Sequence, residues 1–251
     1  MRQLIAVVFS FFSIVASYAQ VVEDSVSICS VQPSSEQFNF RQLIVPGSLI
    51  TLGVLGTLNH DLTFSNDIHN WFDDNKSHTH VDDYLRFVPS AAHLSLGFIP
   101  GIHAKHCFRD RLLASVTAHA SMLAISYGLK YCVNENRPDG SSKHSFPSGH
   151  VALAFTGAEL TRIEYGTACG LAAYGVSSAV AIMRLYNNRH WFNDILMGAG
   201  IGILCARAGY WLLPAERRLF HLDSNSTTAI AVMPAYDFTN RSMQFSVAAV
   251  F

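Results

Sequence analysis

Residues 195–213 read ILMGAGIGILCARAGYWLL, an apolar run that a single charged residue, Arg207, interrupts. A helix rises about 1.5 Å per residue, so this run reaches about 28 Å and nearly matches the hydrocarbon core of a bilayer. Gly198 and Gly202 lie one helical turn apart, and small residues at this spacing let two membrane helices approach closely. The run therefore predicts a membrane-spanning helix that packs against a neighbour.

Further apolar stretches accompany this run. They cover residues 42–58, 87–102, 112–129, 149–163 and 166–183, and most are rich in Ala, Gly and Ser. Only 14% of the 251 residues are charged, against about 25% in an ordinary soluble domain. The sequence thus predicts an all-α fold, a multi-span membrane bundle with five to six transmembrane helices. A formal net charge of −1 gives no basic excess, so nucleic acid is not an expected partner.

The N-terminal residues 1–19 resemble an export signal. Arg2 supplies a positive start, an apolar stretch follows, and Ser17-Tyr18-Ala19 forms a small-residue cleavage site. An uncleaved first anchor is the alternative interpretation. Residues 20–41, which follow this segment, are polar.

The C-terminal residues 219–251 form a tail after the membrane-embedded domain, which we place at residues 42–218. Two segments of the tail, 227–238 and 242–251, alternate in part between apolar and polar residues. Such alternation on either side of a polar turn predicts a short β-hairpin.

Basic residues mark one side of the predicted bundle. They occur in the segment 103–111, at Arg162 and at Arg217-Arg218. Loops rich in Lys and Arg stay in the cytoplasm, so these places should be cytoplasmic. The segments 130–148 and 184–194 should then lie together on the outer side.

The stretch 42–58 leaves a conflict in this orientation. A cleaved signal puts the new N-terminus outside, and the polar, acidic segment 59–85 also has the character of an outer interfacial segment. A fully spanning 42–58 cannot satisfy both. Either it dips into the membrane without crossing, or the signal is not removed.

The two outer segments contain three spaced clusters of chemically active residues. They are Lys130 with Arg137-Pro138, then Pro147-Ser148-Gly149-His150, then Arg184 with His190 and Asp194. In this order and spacing the clusters resemble the type-2 phosphatidic acid phosphatase family, which shares its site with vanadium haloperoxidases. The resemblance covers residues 130–194. One departure is Met183, which stands where the family usually has a serine and so removes one hydrogen bond to phosphate.

The residue types suit a bound phosphate. A phosphate monoester carries nearly two negative charges, and Lys130, Arg137 and Arg184 are cations that can hold it. Ser148 and Gly149 stand at the start of the predicted helix 149–163, where unpaired backbone N–H groups favour an anion. A lone basic residue at a membrane edge is more often a headgroup anchor, but the set as a whole favours a phosphate site.

Three further residues would carry the reaction. His190 and Asp194 are four apart, so they share a helix face, and Asp194 can hold one ring nitrogen while the other attacks phosphorus. The resemblance implies that His190 is the nucleophile of a phosphohistidine intermediate and that His150 protonates the leaving oxygen. Bound phosphate should help to keep His150 protonated.

Several other polar residues have simpler interpretations. His78, His80, Asp82 and Asp83 form the one metal-like cluster, but a solvated interfacial face is the expected role; the reaction scheme uses no metal and no cofactor. His93 and His119 are expected to pack between helices. Glu159 and Arg207 are expected either to pair or to reach toward the cytoplasmic interface.

The resemblance implies a lipid phosphatase over residues 42–218, with a phosphorylated membrane lipid as its partner. An outward site and a secretory-type start suit a multi-pass protein of the bacterial inner membrane that faces the periplasm. The chain looks most similar to bacterial lipid A phosphatases. The alternatives are a polyprenyl (undecaprenyl) diphosphate, phosphatidic acid or phosphatidylglycerol phosphate phosphatase. A lipid-binding membrane protein without turnover is the non-enzymatic alternative.

Overall fold

The computed structural model describes residues 38–58, 80–220, 222, 229–237 and 242–250. The predicted signal and its cleavage therefore lie outside the described residues. The chain divides into two compact units, residues 1–211 and 212–251. In the second unit, strands β1 (Ala229–Asp237) and β2 (Ser242–Val250) pair antiparallel, with Ala229 opposite Val250.

Helices make up the first unit. A 3-10 turn, Phe40–Leu43, leads into α1, Ile44–Leu58. Two short helices follow, α2 (Val81–Leu85) and α3 (Val88–Ser95). Four longer helices complete the bundle: α4 (Phe108–Val133), α5 (Gly149–Tyr165), α6 (Thr167–Tyr186) and α7 (Phe192–Leu219).

Local sequence sets the ends of these helices. Helix α4 ends where Asn134 adopts a left-handed conformation with φ 51°, which closes the last turn. Ser148 is extended and precedes the first turn of α5, as an N-cap residue does. Gly166 separates α5 from α6 with φ 86°, a backbone conformation that glycine adopts at low cost.

Among the described residues, four helical segments are long and apolar enough to cross a membrane, namely Phe40–Leu58, Phe108–Val133, Thr167–Tyr186 and Phe192–Leu219. Large apolar side chains on them point outward: Val116 is 58% exposed and Leu171 is 72% exposed. An outer surface of this kind suits lipid rather than water. The chain is therefore a membrane protein built mostly of helices.

The apolar stretch 87–102 differs from its expected form, because it does not make one long helix. Helix α3 covers Val88–Ser95, and the 3-10 turn Leu96–Phe98 follows it. Pro100 and Gly101 come next, and Gly101 has φ 88°, so the helix cannot continue there.

This broken segment nevertheless runs the length of α5. The side chain of Asp83 lies beside His150 at the start of α5, and the hydroxyl of Tyr165 at its end accepts from the backbone N of Gly97. Between these points, Thr161 donates to the carbonyl of Pro89 at 3.1 Å. The segment therefore descends parallel to α5 through the whole bundle.

Helix α1 runs antiparallel to α7. Its N-terminal end is joined to α7 by Trp211 Nε1, which donates to Gln42 Oε1 at 3.1 Å, and its C-terminal end reaches Asn193 beside Gly56. The stretch 42–58 thus extends along α7 from Trp211 to Asn193. Glu159 and Arg207 pair at 2.6 Å, which confirms the first of their two expected arrangements.

Small residues bring α7 close to α5, as the spacing of Gly198 and Gly202 predicted. A Cβ added at Gly198 would lie 2.6 Å from the carbonyl oxygen of Ser148, and one at Gly202 would lie 2.5 Å from that of Ala152. Both neighbours are backbone atoms, so neither can rotate away. The apolar core beside this contact contains Met122, Phe146, Met197 and Ile201.

We expect Gly202→Ala to destabilise the bundle by about 1–3 kcal/mol, because the added methyl group forces α5 and α7 apart. Gly175→Ala on α6 is the matched control, since a Cβ there meets no atom within 4 Å. That variant should change stability by less than about 1 kcal/mol. Thermal unfolding of both variants in one detergent measures the difference, and equal melting temperatures would show that the close contact is absent.

Candidate active site

The three predicted clusters meet at one end of the bundle. Lys130 lies in the last turn of α4, Ser148 and Gly149 stand at the start of α5, and Arg184 lies in the last turn of α6. Two hydrogen bonds hold the connecting loops together: Trp191 Nε1 donates to the carbonyl of Asn136 at 2.8 Å, and Ser148 N donates to the carbonyl of Asp194 at 3.1 Å. The basic residues of the segment 103–111 and Arg162 lie at the other end of the bundle.

His190 is held against Asp194, as their spacing predicted. The ring Nδ1 lies 3.3 Å from Asp194 Oδ2, and both side chains are at most 2% exposed. The same Oδ2 also accepts from the backbone N of Trp191 at 2.9 Å and from the hydroxyl of Ser145. With Nδ1 engaged by the carboxylate, Nε2 is the ring nitrogen left to react.

Burial controls the protonation of His190. Loss of solvation lowers its pKa to about 4, although the carboxylate of Asp194 acts in the opposite direction. The imidazole is therefore neutral near pH 7. A neutral ring has the lone pair that a nucleophile needs.

The start of α5 provides backbone donors beside the histidine. The first N–H groups of a helix have no partner within it, and they attract anions. A Cβ at Gly149 would meet nothing within 4 Å, so there is room for a close approach. The hydroxyl oxygen of Ser148 is buried and has no partner among the described residues.

Arg137 and Arg184 are the two arginines of the site. Arg137 Nε is buried and without a partner among the described residues, which leaves its forked donors for a ligand. Arg184 Nη1 donates to Asp82 Oδ2 at 2.7 Å, and its Nε is buried and unpartnered. Both guanidinium groups thus have a buried, unpartnered Nε that can donate to an anion.

The place of Lys130 in the motif predicts a contact with phosphate, and in the structure its ammonium group contacts backbone carbonyls. Its Nζ donates to the carbonyl oxygens of His144 at 2.9 Å, Pro147 at 2.8 Å and Ser145 at 3.5 Å. These contacts engage all three hydrogens of the ammonium group. Lys130 therefore holds the loop that precedes α5 and adds its charge to the site.

His150 faces two charged groups of the segment before α3. Its Nε2 lies 2.8 Å from Asp83 Oδ1 and 2.9 Å from Arg86 Nη1. The ring is partly exposed, unlike that of His190. His150 thus stands where solvent and substrate can reach it.

Four site residues lie outside the motifs: Asp82, Asp83, Arg86 and Ser145. For Asp82, the expectation of a solvated interfacial face is wrong, because the residue is only 1% exposed and holds Arg184. Asp83 remains partly exposed. The two consecutive carboxylates after a polar segment were visible in the sequence, but nothing there indicated that they turn inward.

Within the described residues, Asp82, Asp83 and His150 form a group with ligand atoms close enough to share a metal ion. Arg184 and Arg86 contact these same side chains. Their guanidinium charges offset those of the carboxylates and would repel a cation. The donor set therefore suits an anion-binding site better than a metal centre. His78 lies outside the described residues.

Glu135 is a further carboxyl near the site. Burial, and to a smaller extent the charge of Asp194, raise its pKa to about 7. A substantial fraction of this group is consequently neutral near pH 7. In that form it does not repel a bound phosphate.

Comparison with known proteins finds a similar curated sequence. A curated lipid A 1-phosphatase of Porphyromonas gingivalis is 30% identical over 201 residues, which are 79% of this chain and 43% of that protein. The chain thus spans less than half the length of this relative.

Two solved structures are also similar. LpxE of Aquifex aeolicus is 21% identical with a TM-score of 0.45, over 59% of this chain and 93% of that one. The first transmembrane PAP2 type phosphatidylglycerolphosphate phosphatase from Bacillus subtilis is 17% identical with a TM-score of 0.47, over 72% and 98%. The family model that matches is that of the PAP2 superfamily, over residues 111–218, a range that includes all three clusters. This chain therefore carries a PAP2 superfamily domain over residues 111–218.

Proposed function

We propose that this chain is a membrane lipid phosphatase that hydrolyses a phosphomonoester of an envelope lipid through a phosphohistidine at His190. One observation carries the proposal: a buried, neutral His190 is held by Asp194 beside arginine donors and a helix N-terminus. Asp194 holds the ring in one tautomer, and the arginine donors and the helix N-terminus bind phosphate. The lipid A 1-phosphatase relative supports the same conclusion.

In the first step, His190 Nε2 attacks phosphorus while the bond from phosphorus to the lipid oxygen breaks. His150 gives a proton to that oxygen, so the lipid leaves as an alcohol. Asp194 stabilises the positive charge that develops on the His190 ring. Ser145 and the N–H of Trp191 hold the carboxylate in place for this task.

In the second step, water attacks the phosphohistidine. His150, now neutral, takes the proton from water, and the bond between phosphorus and nitrogen breaks. Inorganic phosphate leaves, and His190 returns to its neutral form. The two histidines thus regain their starting protonation after one turnover.

The remaining site residues bind and orient the phosphate. Arg137 and Arg184 would bind its oxygens with their forked donors, and the N–H groups at Ser148 and Gly149 would bind from the start of α5. Lys130 would act through the loop that it holds and through its charge. No step in this scheme calls for a metal or another cofactor.

The proposed orientation places the site on the periplasmic side of a bacterial inner membrane. Lys105, Arg109 and the last turn of α7 carry basic residues at the other end, which favours the cytoplasm for that end. If the segment 81–98 and α5 are counted with the four helical segments that are long and apolar enough to cross a membrane, the described residues contain six membrane crossings. Residues 42–218 then form the membrane-embedded phosphatase domain.

Lipid A is the substrate that we propose, and its 1-phosphate is the group removed. The name of the P. gingivalis relative supports this choice over the alternatives. Phosphatidic acid and phosphatidylglycerol phosphate are also phosphomonoesters, and a polyprenyl diphosphate has a terminal phosphate in an anhydride, so the phosphate-binding groups alone accept them all.

Phosphate release from these four lipids tests the proposal. The purified chain is incubated in detergent with each lipid at equal concentration, inorganic phosphate is measured, and mass spectrometry locates the phosphate lost from lipid A. We expect the largest kcat/KM on lipid A, with loss from position 1. Faster hydrolysis of another lipid would replace the substrate, and no release from any lipid would overturn the proposed function.

A further inference from the structure

His150 Nε2 lies between two opposite charges that one short segment supplies. Asp83 is in α2, and Arg86 follows it three residues later at the helix end. Their atoms are 2.8 Å and 2.9 Å from the same ring nitrogen. The family motifs contain neither residue.

The two contacts have opposite requirements. Asp83 accepts a hydrogen bond only if Nε2 carries a proton, and Arg86 can donate only if Nε2 carries none. The carboxylate therefore favours the charged imidazolium, and the guanidinium favours the neutral ring. A single proton on Nε2 decides which contact is a hydrogen bond.

Other charged groups also act on His150 and its partners. Arg184, on α6, disfavours the imidazolium as well; Asp82 binds Arg184 at 2.7 Å, and Asp83 Oδ1 lies 4.0 Å from the same guanidinium. Asp82 is thus committed to Arg184. Asp83 is the carboxylate in direct contact with His150.

We propose that Asp83 and Arg86 are an opposed pair of positioning residues that set the proton affinity of His150. The inference rests on the proposed function, in which His150 is the acid of the first step and the base of the second. An acid for one step and a base for the next works best when neither form is strongly favoured. A carboxylate and a guanidinium at one nitrogen act on that proton in opposite directions.

The surroundings of Asp83 agree with this role. Its carboxylate lies between two rings, with Oδ1 2.8 Å from His150 Nε2 and Oδ2 3.4 Å from His80 Nδ1. Its side chain is 43% exposed, so solvent reaches the carboxylate. Because Arg86 directly follows α2, which carries Asp83, one short segment places both residues beside His150.

Two single variants test the proposal through opposite shifts of the pH profile. Removing the carboxylate in Asp83→Asn should move the alkaline limb of kcat to lower pH by about one unit, because His150 loses its proton more readily. Removing the guanidinium charge in Arg86→Gln should move this limb to higher pH. Asp83→Glu and Arg86→Lys keep the charges and should restore most of the wild-type profile.

The leaving group provides a second readout. Dioctanoyl phosphatidic acid has an alkoxide leaving group that needs a proton, whereas 4-nitrophenyl phosphate has one that leaves readily without it. At pH 8 we expect Asp83→Asn to lower kcat about tenfold on the first substrate and less than about twofold on the second. In a His150→Ala background, Asp83→Asn should cause no further loss.

The outcomes separate this inference from the proposed function. If the wild type releases phosphate from none of the four lipids named above, the proposed function fails. If the wild type is active but the two limbs move in the same direction, or do not move, the inference is wrong. Equal losses on both substrates, or an added loss in the His150→Ala background, would also overturn it.

Discussion

His190→Ala should abolish turnover, with kcat lower than that of the wild type by at least about 10⁴-fold. The variant keeps the arginine donors and the N-terminus of α5, so phosphate can still bind. It lacks the nitrogen that forms the bond to phosphorus. Phosphate release from the lipid substrate in detergent measures the loss, and KM should change far less than kcat.

A labelled intermediate distinguishes loss of the nucleophile from loss of folding. Substrate with ³²P is mixed with enzyme and quenched in alkali, where phosphohistidine survives, and label retained on the protein is counted. We expect retained label on the wild type and none on His190→Ala. His103→Ala is the matched control, because His103 is exposed in the loop far from the site. Label on His190→Ala equal to that on the wild type would assign the nucleophile to another residue.

The pairing of His190 with Asp194 and the placement of Ser148 and Gly149 could be predicted because these features are local in sequence. His190 and Asp194 are one helical turn apart, so their pairing follows from helix geometry alone. Ser148 and Gly149 precede an apolar helical pattern, which makes them the start of a helix whatever the rest of the chain does. Features of this kind depend on neighbours within a few residues.

The partners of these residues could not be predicted, because they come from distant segments. Asp82 is 102 residues before Arg184, and Asp83 is 67 before His150. The sequence around Asp82 and Asp83 is polar and acidic, and such a segment indicates a solvated face. Only the descent of the segment 81–98 along α5 brings Asp82 to Arg184 and Asp83 to His150.

The role of Lys130 shows a second limit of the sequence. Its spacing from Arg137 matches the family motif, and a motif identifies the residue but not its contacts. The carbonyls that it binds belong to the loop at 144–147, whose path depends on how α4 and α5 pack. In the same way, hydropathy identified the stretch 87–102 but not the break after α3, where Pro100 and Gly101 stop the helix.

Arg184→Met should have the second large effect, since it removes a phosphate ligand and leaves the carboxylate of Asp82 unpaired. Asp82 is 1% exposed and the Arg184 side chain 7%, so solvent cannot replace the lost partner. Breaking a buried ion pair from one side costs about 3–5 kcal/mol of stability. Losing a donor to the transferring phosphate costs about 10²–10³ in kcat. Chemical unfolding and phosphate release measure the two losses separately.

The double variant Arg184→Met with Asp82→Leu separates the loss of stability, which comes from the broken ion pair, from the loss of kcat, which comes from the missing phosphate donor. Without the buried carboxylate, apolar side chains can fill the site, and we expect much of the unfolding free energy to return. The recovery should be partial, because Asn187 Nδ2 then loses Asp82 Oδ1, its partner at 3.3 Å. Activity should stay as low as in Arg184→Met, since no donor to phosphate is restored. Recovery of activity with stability would mean that Arg184 only supports the fold, and phosphate binding would then rest on Arg137 and the N-terminus of α5.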